Sequence, residues 1–428
     1  MEPPFESLGD AELDAANSAA GGLFRGSAWL TVSTVVTALG GLLFWIIAAR
    51  LYSTAEVGRA TALFSALLFV NYATNLGLGI AVARYARDQS DASTMTYRYA
   101  IVLTSVSSVL GAAIFLALAP HRTVAPLFDI STPGGIALWL AFGAGMAVTT
   151  VVDVRLLALR LWPWVFARAL AVAVLRVLLI AVAPSADAAG WTFLIAAGVP
   201  ALSGAIGVMV LSRAERRHLP WRPVLPETRA ALRYALQNYL PVLAEQAPLL
   251  GLPLVVLLTV GAAANANFYI AWGATLFVLM VPTAITQILL VEGGRDGTEI
   301  NHQTKLALTW SLVVMTAAWV VAWAGRDVVT IIYGKNYESA SVILPQLVAA
   351  GIAWSIMTVA VTRARLEHDT RSTLVITVLF AVTVLVSALF WTATKGVNGA
   401  VDGWLLGCAV GGGAGVVFLS ARQLHTVA

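Results

Sequence analysis

Twelve apolar stretches of about twenty residues each limit what this chain can fold into. They run at roughly 26–49, 58–82, 99–119, 133–152, 163–183 and 191–211, then at roughly 235–258, 266–290, 306–324, 341–361, 373–391 and 399–420. A helix rises about 1.5 Å per residue, so each stretch can cross a hydrocarbon core of about 30 Å. Of the residues, 59% are hydrophobic and 11% charged, against about 25% charged in a soluble domain. No water-soluble fold could bury that much apolar surface. The prediction is an all-α polytopic membrane protein with 12 transmembrane helices in two six-helix bundles.

The division into two comes from a polar interval and from self-similarity. Residues 212–234 hold six arginines and three prolines, and they separate the first six stretches from the last six. Residues 58–88 lie over 266–296 at a constant offset of 208, so that Leu68-Phe69-Val70 falls on Leu276-Phe277-Val278 and Arg87-Asp88 on Arg295-Asp296. Residues 124–129 lie over 329–334 at an offset of 205. Internal repeats of this kind are common in transporters. The expected organisation is a cytoplasmic tail at 1–24, a six-helix bundle at 25–211, a basic linker at 212–234 and a second bundle at 235–428.

Positive charge orients the chain. With the N-terminus inside, eighteen Lys and Arg residues fall in cytoplasmic segments and six on the opposite side. That asymmetry predicts cytoplasmic termini and an even number of crossings. The acidic tail before Arg25 is the reverse of a cleavable signal peptide. The net charge of +4 therefore reflects topology, and no nucleic acid is expected as a partner.

Chemistry is disfavoured. The outer loops are at most about fifteen residues long, too short for the acidic or histidine catalysts that membrane glycosyltransferases place there. His121, His218, His302, His368 and His425 are widely spaced, with no metal-ligand pattern, and no phosphate-binding Gly-x-x-x-x-Gly-Lys motif occurs. The single cysteine, Cys408, excludes an internal disulfide. No catalytic residue, metal or cofactor is expected.

Four short motifs keep a characteristic order: Ala49-Arg50-Leu51-Tyr52-Ser53-Thr54-Ala55-Glu56-Val57-Gly58, Asn75-Leu76-Gly77-Leu78-Gly79-Ile80-Ala81-Val82-Ala83-Arg84-Tyr85, Ile332-Tyr333-Gly334-Lys335-Asn336-Tyr337-Glu338-Ser339-Ala340, and Lys395-Gly396-Val397-Asn398-Gly399-Ala400. In that order the chain resembles polysaccharide flippases of the multidrug/oligosaccharidyl-lipid/polysaccharide (MOP) exporter superfamily, the Wzx-like branch. The resemblance implies two bundles forming a V around a cavity that opens alternately to each side. It implies a polyprenyl-diphosphate-linked glycan as cargo, carried between leaflets of a bacterial plasma membrane. It also implies membrane lipids, a polysaccharide polymerase and glycosyltransferases as partners, with the chain itself a monomer.

Polar residues inside the apolar stretches are the site candidates. Arg176 lies about thirteen residues into the fifth stretch, where an unpaired arginine costs from about 3 kcal/mol upward. It should face a cavity, where its fork could hold a diphosphate, or else pair with an acid, Glu245 being the nearest in kind. Arg168, eight residues earlier and about 80° round the helix, either shares that groove or snorkels to the interface. Glu245 either couples transport to H+ or Na+ or neutralises Arg176. Pro241, Pro248 and Pro253 should bend or break its helix, and the Gly40-Gly41 pair is the matching weak point of the first helix, so both are gate candidates.

Asn71 and Asn75, one turn apart, could contact sugar hydroxyls or bond between helices. Arg84 and Arg25, at cytoplasmic helix ends, either meet the diphosphate at entry or act as plain anchors. Asp153 and Arg155 read as a loop pair, and Gly403, Gly407 and Gly411 as a packing face. The reading is a lipid-linked oligosaccharide flippase. A multidrug antiporter of the same fold and a non-transporting scaffold of a polysaccharide assembly complex are its alternatives.

Overall fold

The computed structural model describes residues 29, 32–85, 90–118, 132–183, 187–214, 226–292 and 300–424. The tail at 1–24, Arg25, residues 215–225 of the basic linker and the 124–129 repeat segment lie outside the described residues. Within them the chain is built of helices. In the first half these are α1 (Val32–Leu51), α2 (Thr54–Thr74), α3 (Leu78–Tyr85), α4 (Asp91–Leu118), α5 (Pro133–Ala158), α6 (Trp162–Val182) and α7 (Ala188–Ala214). In the second they are α8 (Pro226–Thr259), α9 (Ala262–Glu292), α10 (Ile300–Ala324), the short α11 (Val328–Tyr333), α12 (Glu338–Leu366), α13 (Thr370–Lys395) and α14 (Val397–Leu424). In the first half α5 packs on α4 and α7; in the second α12 packs on α9, α10 and α14. The halves meet along a seam of α2 and α3 against α8 and α9.

Eleven of these helices are long and apolar enough to cross a membrane. The expected twelfth, the continuous stretch 58–82, is instead divided. Ser53 caps α2 in a reciprocal box with Glu56, and the helix ends at Asn75. Leu76 (φ 54°) and Gly77 (φ 69°) then turn into the left-handed region before α3 starts at Leu78. The Gly77 backbone lies against the Ala235 carbonyl of α8, so both its angle and its neighbour require glycine. Polar Glu56, Arg59 and Asn71 also lower the hydropathy of α2, which is largely buried among its neighbours.

The 208-residue repeat is written into the backbone. At the end of α5 the Leu159 N–H returns to Arg155 O, Arg160 adopts φ 57°, and the Leu161 N–H reaches Leu156 O at 2.9 Å. At the end of α12, Glu367 returns to Arg363 O, His368 adopts φ 56°, and Asp369 reaches Ala364 O at 2.8 Å. The arginines themselves correspond. Buried Arg155 donates through Nη1 to Ser93 Oγ of α4 at 2.8 Å, and buried Arg363 donates through Nη1 to Asn301 Oδ1 of α10 at 2.8 Å. The glycine face on α14 packs as read: Gly403 meets Ala388 and Gly407 meets Val384 of α13 without room for a side chain.

Candidate functional site at the seam between the halves

Helix α7 contains Pro200, which has no N–H to give the Ala196 carbonyl four residues earlier. Arg176 of α6 fills that place, its Nη2 donating to Ala196 O. The guanidinium lies 5.9 Å from the ring centre of Phe44 on α1 and 5.4 Å from that of Phe64 on α2. Such faces attract a cation, the more so when it is desolvated. Its Nε is buried and has no partner, and no carboxylate pairs with it among the described residues. Across the seam, Tyr269 of α9 lies within its electrostatic reach.

Tyr269 in turn accepts a hydrogen bond from Trp45 of α1, with ring centres 5.3 Å apart. This aromatic pair forms part of the wall of a groove of about 460 Å³ between α1 and α9. Gly41, Leu42, Gly273, Phe277 and Tyr333 contribute to the rest of its lining, which is almost wholly apolar. A cation one side chain behind the wall of an apolar groove can attract an anionic head while an aliphatic tail stays in hydrocarbon.

The expected pairing of Arg176 with Glu245 does not form. Arg176 lies six residues from the C-terminal end of α6, whereas Glu245 lies six residues from the Tyr239 start of its span, about 9 Å in and short of mid-depth. The two therefore sit toward opposite ends of the bundle. Glu245 pairs with Arg365 at the end of α12, at 2.9 Å. Nor do Asp153 and Arg155 pair in a loop: α5 continues through both to Ala158. Asp153 forms an ion pair with Arg168, which also donates to Ser203 Oγ of α7 at 2.7 Å. That gives Arg168 an acid in place of a route to the interface.

Asn71 is buried in α2, its Nδ2 without a partner, and Asn75, one turn on, is the C-cap of the same helix. Arg84 lies on α3, and nothing further is described of it. The weak points read from sequence do not interrupt their helices. α1 runs unbroken through Gly40 and Gly41, and Gly40 meets Ala173 of α6 with no room for a side chain, whereas Gly41 is open to the groove. α8 runs unbroken through Pro241, Pro248 and Pro253. The Leu249 carbonyl, which Pro253 cannot bond, instead accepts the Trp272 indole N–H at 2.9 Å. A proline-freed carbonyl with an outside donor thus occurs in each half.

The arginine-poor end of the seam is tied shut. Arg50, at the end of α1, donates through Nε to Ile332 O at 2.6 Å and through Nη2 to Ile331 O, the last carbonyls of α11. Asn265 of α9 donates to Gly58 O and Thr61 Oγ1 of α2, both at 3.2 Å. Gly58 packs on the Ala262 backbone so closely that no side chain fits. Arg50 is not among the sequence candidates; in sequence, its place just after the first apolar stretch reads as an anchor.

No protein-family profile matches the sequence, and no curated protein matches it. Solved structures do match in fold. An inward-facing multidrug resistance MATE family transporter of the MOP superfamily superposes with a TM-score of 0.64 at 15% identity, covering 93% of this chain and 98% of that one. An outward-facing structure of a MATE family transporter gives 0.64 at 16%, covering 94% and 95%. A MOP superfamily transporter from Pyrococcus furiosus, described as having a binding pocket of reverse polarity that suggests a different function, gives 0.62 at 16%, covering 94% and 95%. The chain has the fold of these MOP superfamily transporters.

Proposed function

We propose, from that fold as premise, that the chain is an alternating-access transporter that flips a polyprenyl-diphosphate-linked oligosaccharide from the cytoplasmic to the outer leaflet of a bacterial plasma membrane. The observation that supports this reading is Arg176: a guanidinium at the seam with no carboxylate beside it among the described residues, set behind Tyr269, which lines an apolar groove. A diphosphate needs a fixed cation, and a prenyl tail needs an apolar path alongside it. The fold likeness to structures both inward- and outward-facing supports the alternating cycle. The reverse-polarity pocket of the Pyrococcus transporter, described as suggesting a different function, is a precedent within the fold for departure from the multidrug role.

The MATE-type multidrug antiporter is the second reading, favoured by the names of the neighbouring structures. Cationic drugs and coupling ions call for an available buried carboxylate. Among the described residues Asp153 is held by Arg168, and Glu245 by Arg365. Coupling to H+ or Na+ through Glu245 would first have to release Arg365.

The deciding experiment is leaflet translocation in proteoliposomes of an undecaprenyl-diphosphate oligosaccharide by wild type, Arg176→Ala and Arg176→Lys. Flipping by wild type that falls at least about tenfold in Arg176→Ala is the expected result, one charged hydrogen bond being worth about 1.5–3 kcal/mol. Drug efflux without flipping would transfer the case to the antiporter. Neither activity in folded protein would leave the scaffold.

A further inference from the structure

The two repeated arginines have diverged in what covers them. In the first half Arg155 is fully buried and lies 5.3 Å from the ring centre of Tyr97, which is itself 2% exposed. The residue 208 positions after Tyr97 is Lys305, which is exposed. There the arginine borders a cavity of about 50 Å³ lined by Asn301, Thr304, Lys305, Arg363 and Arg422, with Leu308 and Leu419. The same arginine staple is closed in one half and open in the other.

The open site presents donors and no acid. Arg363 is 6% exposed. It spends Nε on Glu367 at 2.6 Å and Nη1 on Asn301 and Thr304, which leaves Nη2 without a partner among the described residues. A guanidinium only donates, so Asn301 must turn its oxygen to Arg363 and keep its amide N–H groups for something else. Lys305 Nζ has no partner among the described residues either. Arg422 is anchored by Glu367 at 3.0 Å and Asp369 at 2.8 Å, which fixes it at the rim. Both carboxylates stand behind the arginines, and neither lines the cavity.

We infer that this cavity is a binding site for a phosphate group, supplied by the headgroup of an anionic phospholipid. The site lies at the common end of three membrane-spanning helices, at the start of α10 and the ends of α12 and α14, which is where headgroups sit. Leu308 lies one turn further into α10 than Thr304, and Leu419 one turn further into α14 than Arg422, so apolar lining follows the polar end as acyl chains below a headgroup would require. A volume of this size suits a phosphate fork and not a drug-sized molecule. In the first half Tyr97 occupies the position of the lysine and covers Arg155. The assignment is independent of what the seam transports.

Native mass spectrometry of the full chain, with phosphatidylglycerol added in micelles, tests it. Lys305→Gln removes the charge, and Lys305→Tyr rebuilds the closed arrangement of the first half. Both change an exposed position, and each is checked for an unchanged melting temperature. Retention of phosphatidylglycerol should fall about fivefold in each, the loss expected for one lysine at a headgroup surface. Lys335→Ala, toward the other end of the bundle, should keep wild-type retention. Inorganic phosphate is the second arm: if it displaces the lipid, the site also serves soluble phosphates; if not, the headgroup is the ligand. Equal retention by wild type and both Lys305 variants, or equal loss in Lys335→Ala, would overturn the assignment.

Discussion

Arg176 stands in for the N–H that Pro200 lacks: its guanidinium donates to the Ala196 carbonyl that the proline leaves open one turn back in α7. This gives one side chain two separable roles, bracing a helix and offering positive charge at the seam. Its buried, partnerless Nε is the sign that bracing does not use all of it.

The two roles separate in a double-mutant cycle. Arg176→Ala alone should destabilise the protein by about 1–3 kcal/mol, because it strands a buried carbonyl. In a Pro200→Ala background that penalty should largely vanish, since an alanine in place of the proline supplies the helical N–H. Denaturation in detergent reads the coupling, and additive effects would refute the bracing role. If charge matters for transport, the doubly substituted protein should be stable and still fail to flip.

Arg50 should hold the arginine-poor end of the seam closed. Arg50→Ala removes two charge-assisted hydrogen bonds to α11. A reporter introduced as Tyr333→Cys, beside the groove, should then react several-fold faster with a polar maleimide than it does with Arg50 intact. The native Cys408 is fully buried and should stay silent. An unchanged labelling rate would show that Asn265 and Gly58 suffice for closure.

Acid should loosen the arginine-rich end of the second half. Asp369 accepts the Ser372 N–H and hydroxyl, and then Arg422, which together hold its carboxyl below the ordinary 3.8. A depressed carboxylate contributes stability that is fully present above its unfolded value and lost as pH falls through the lower folded one. The melting temperature should therefore decline below about pH 4, and that acid arm should be shallower in Asp369→Asn. Parallel curves for the two proteins would rule the contribution out.

Legibility from sequence follows periodicity and ends where contacts cross between helices. Apolar length locates eleven spans, and the 208-residue offset recurs in the matched ends of α5 and α12. The break at Asn75-Leu76-Gly77 is hidden inside an apolar run, although Asn and Gly around a left-handed residue are turn chemistry. Sequence places Asp153 in a loop because hydropathy falls off at 152, while the α5 backbone continues for another turn and a half. The Arg176–Glu245 expectation rests on charge alone; depth along their helices decides against it. Pro200 is the missed signal, since a proline within a buried helix always leaves a carbonyl in want of a donor.

The matched ends of α5 and α12 bear on how such a chain could arise. A unit that crosses the membrane an even number of times returns to the face it started from. Two copies of one gene can then be fused head to tail by a short hydrophilic connector, and both insert the same way up with no crossing gained or lost. Once joined, each copy is free to drift where the other keeps the shared architecture intact. Tyr97 and Lys305, at equivalent places, record that division of labour.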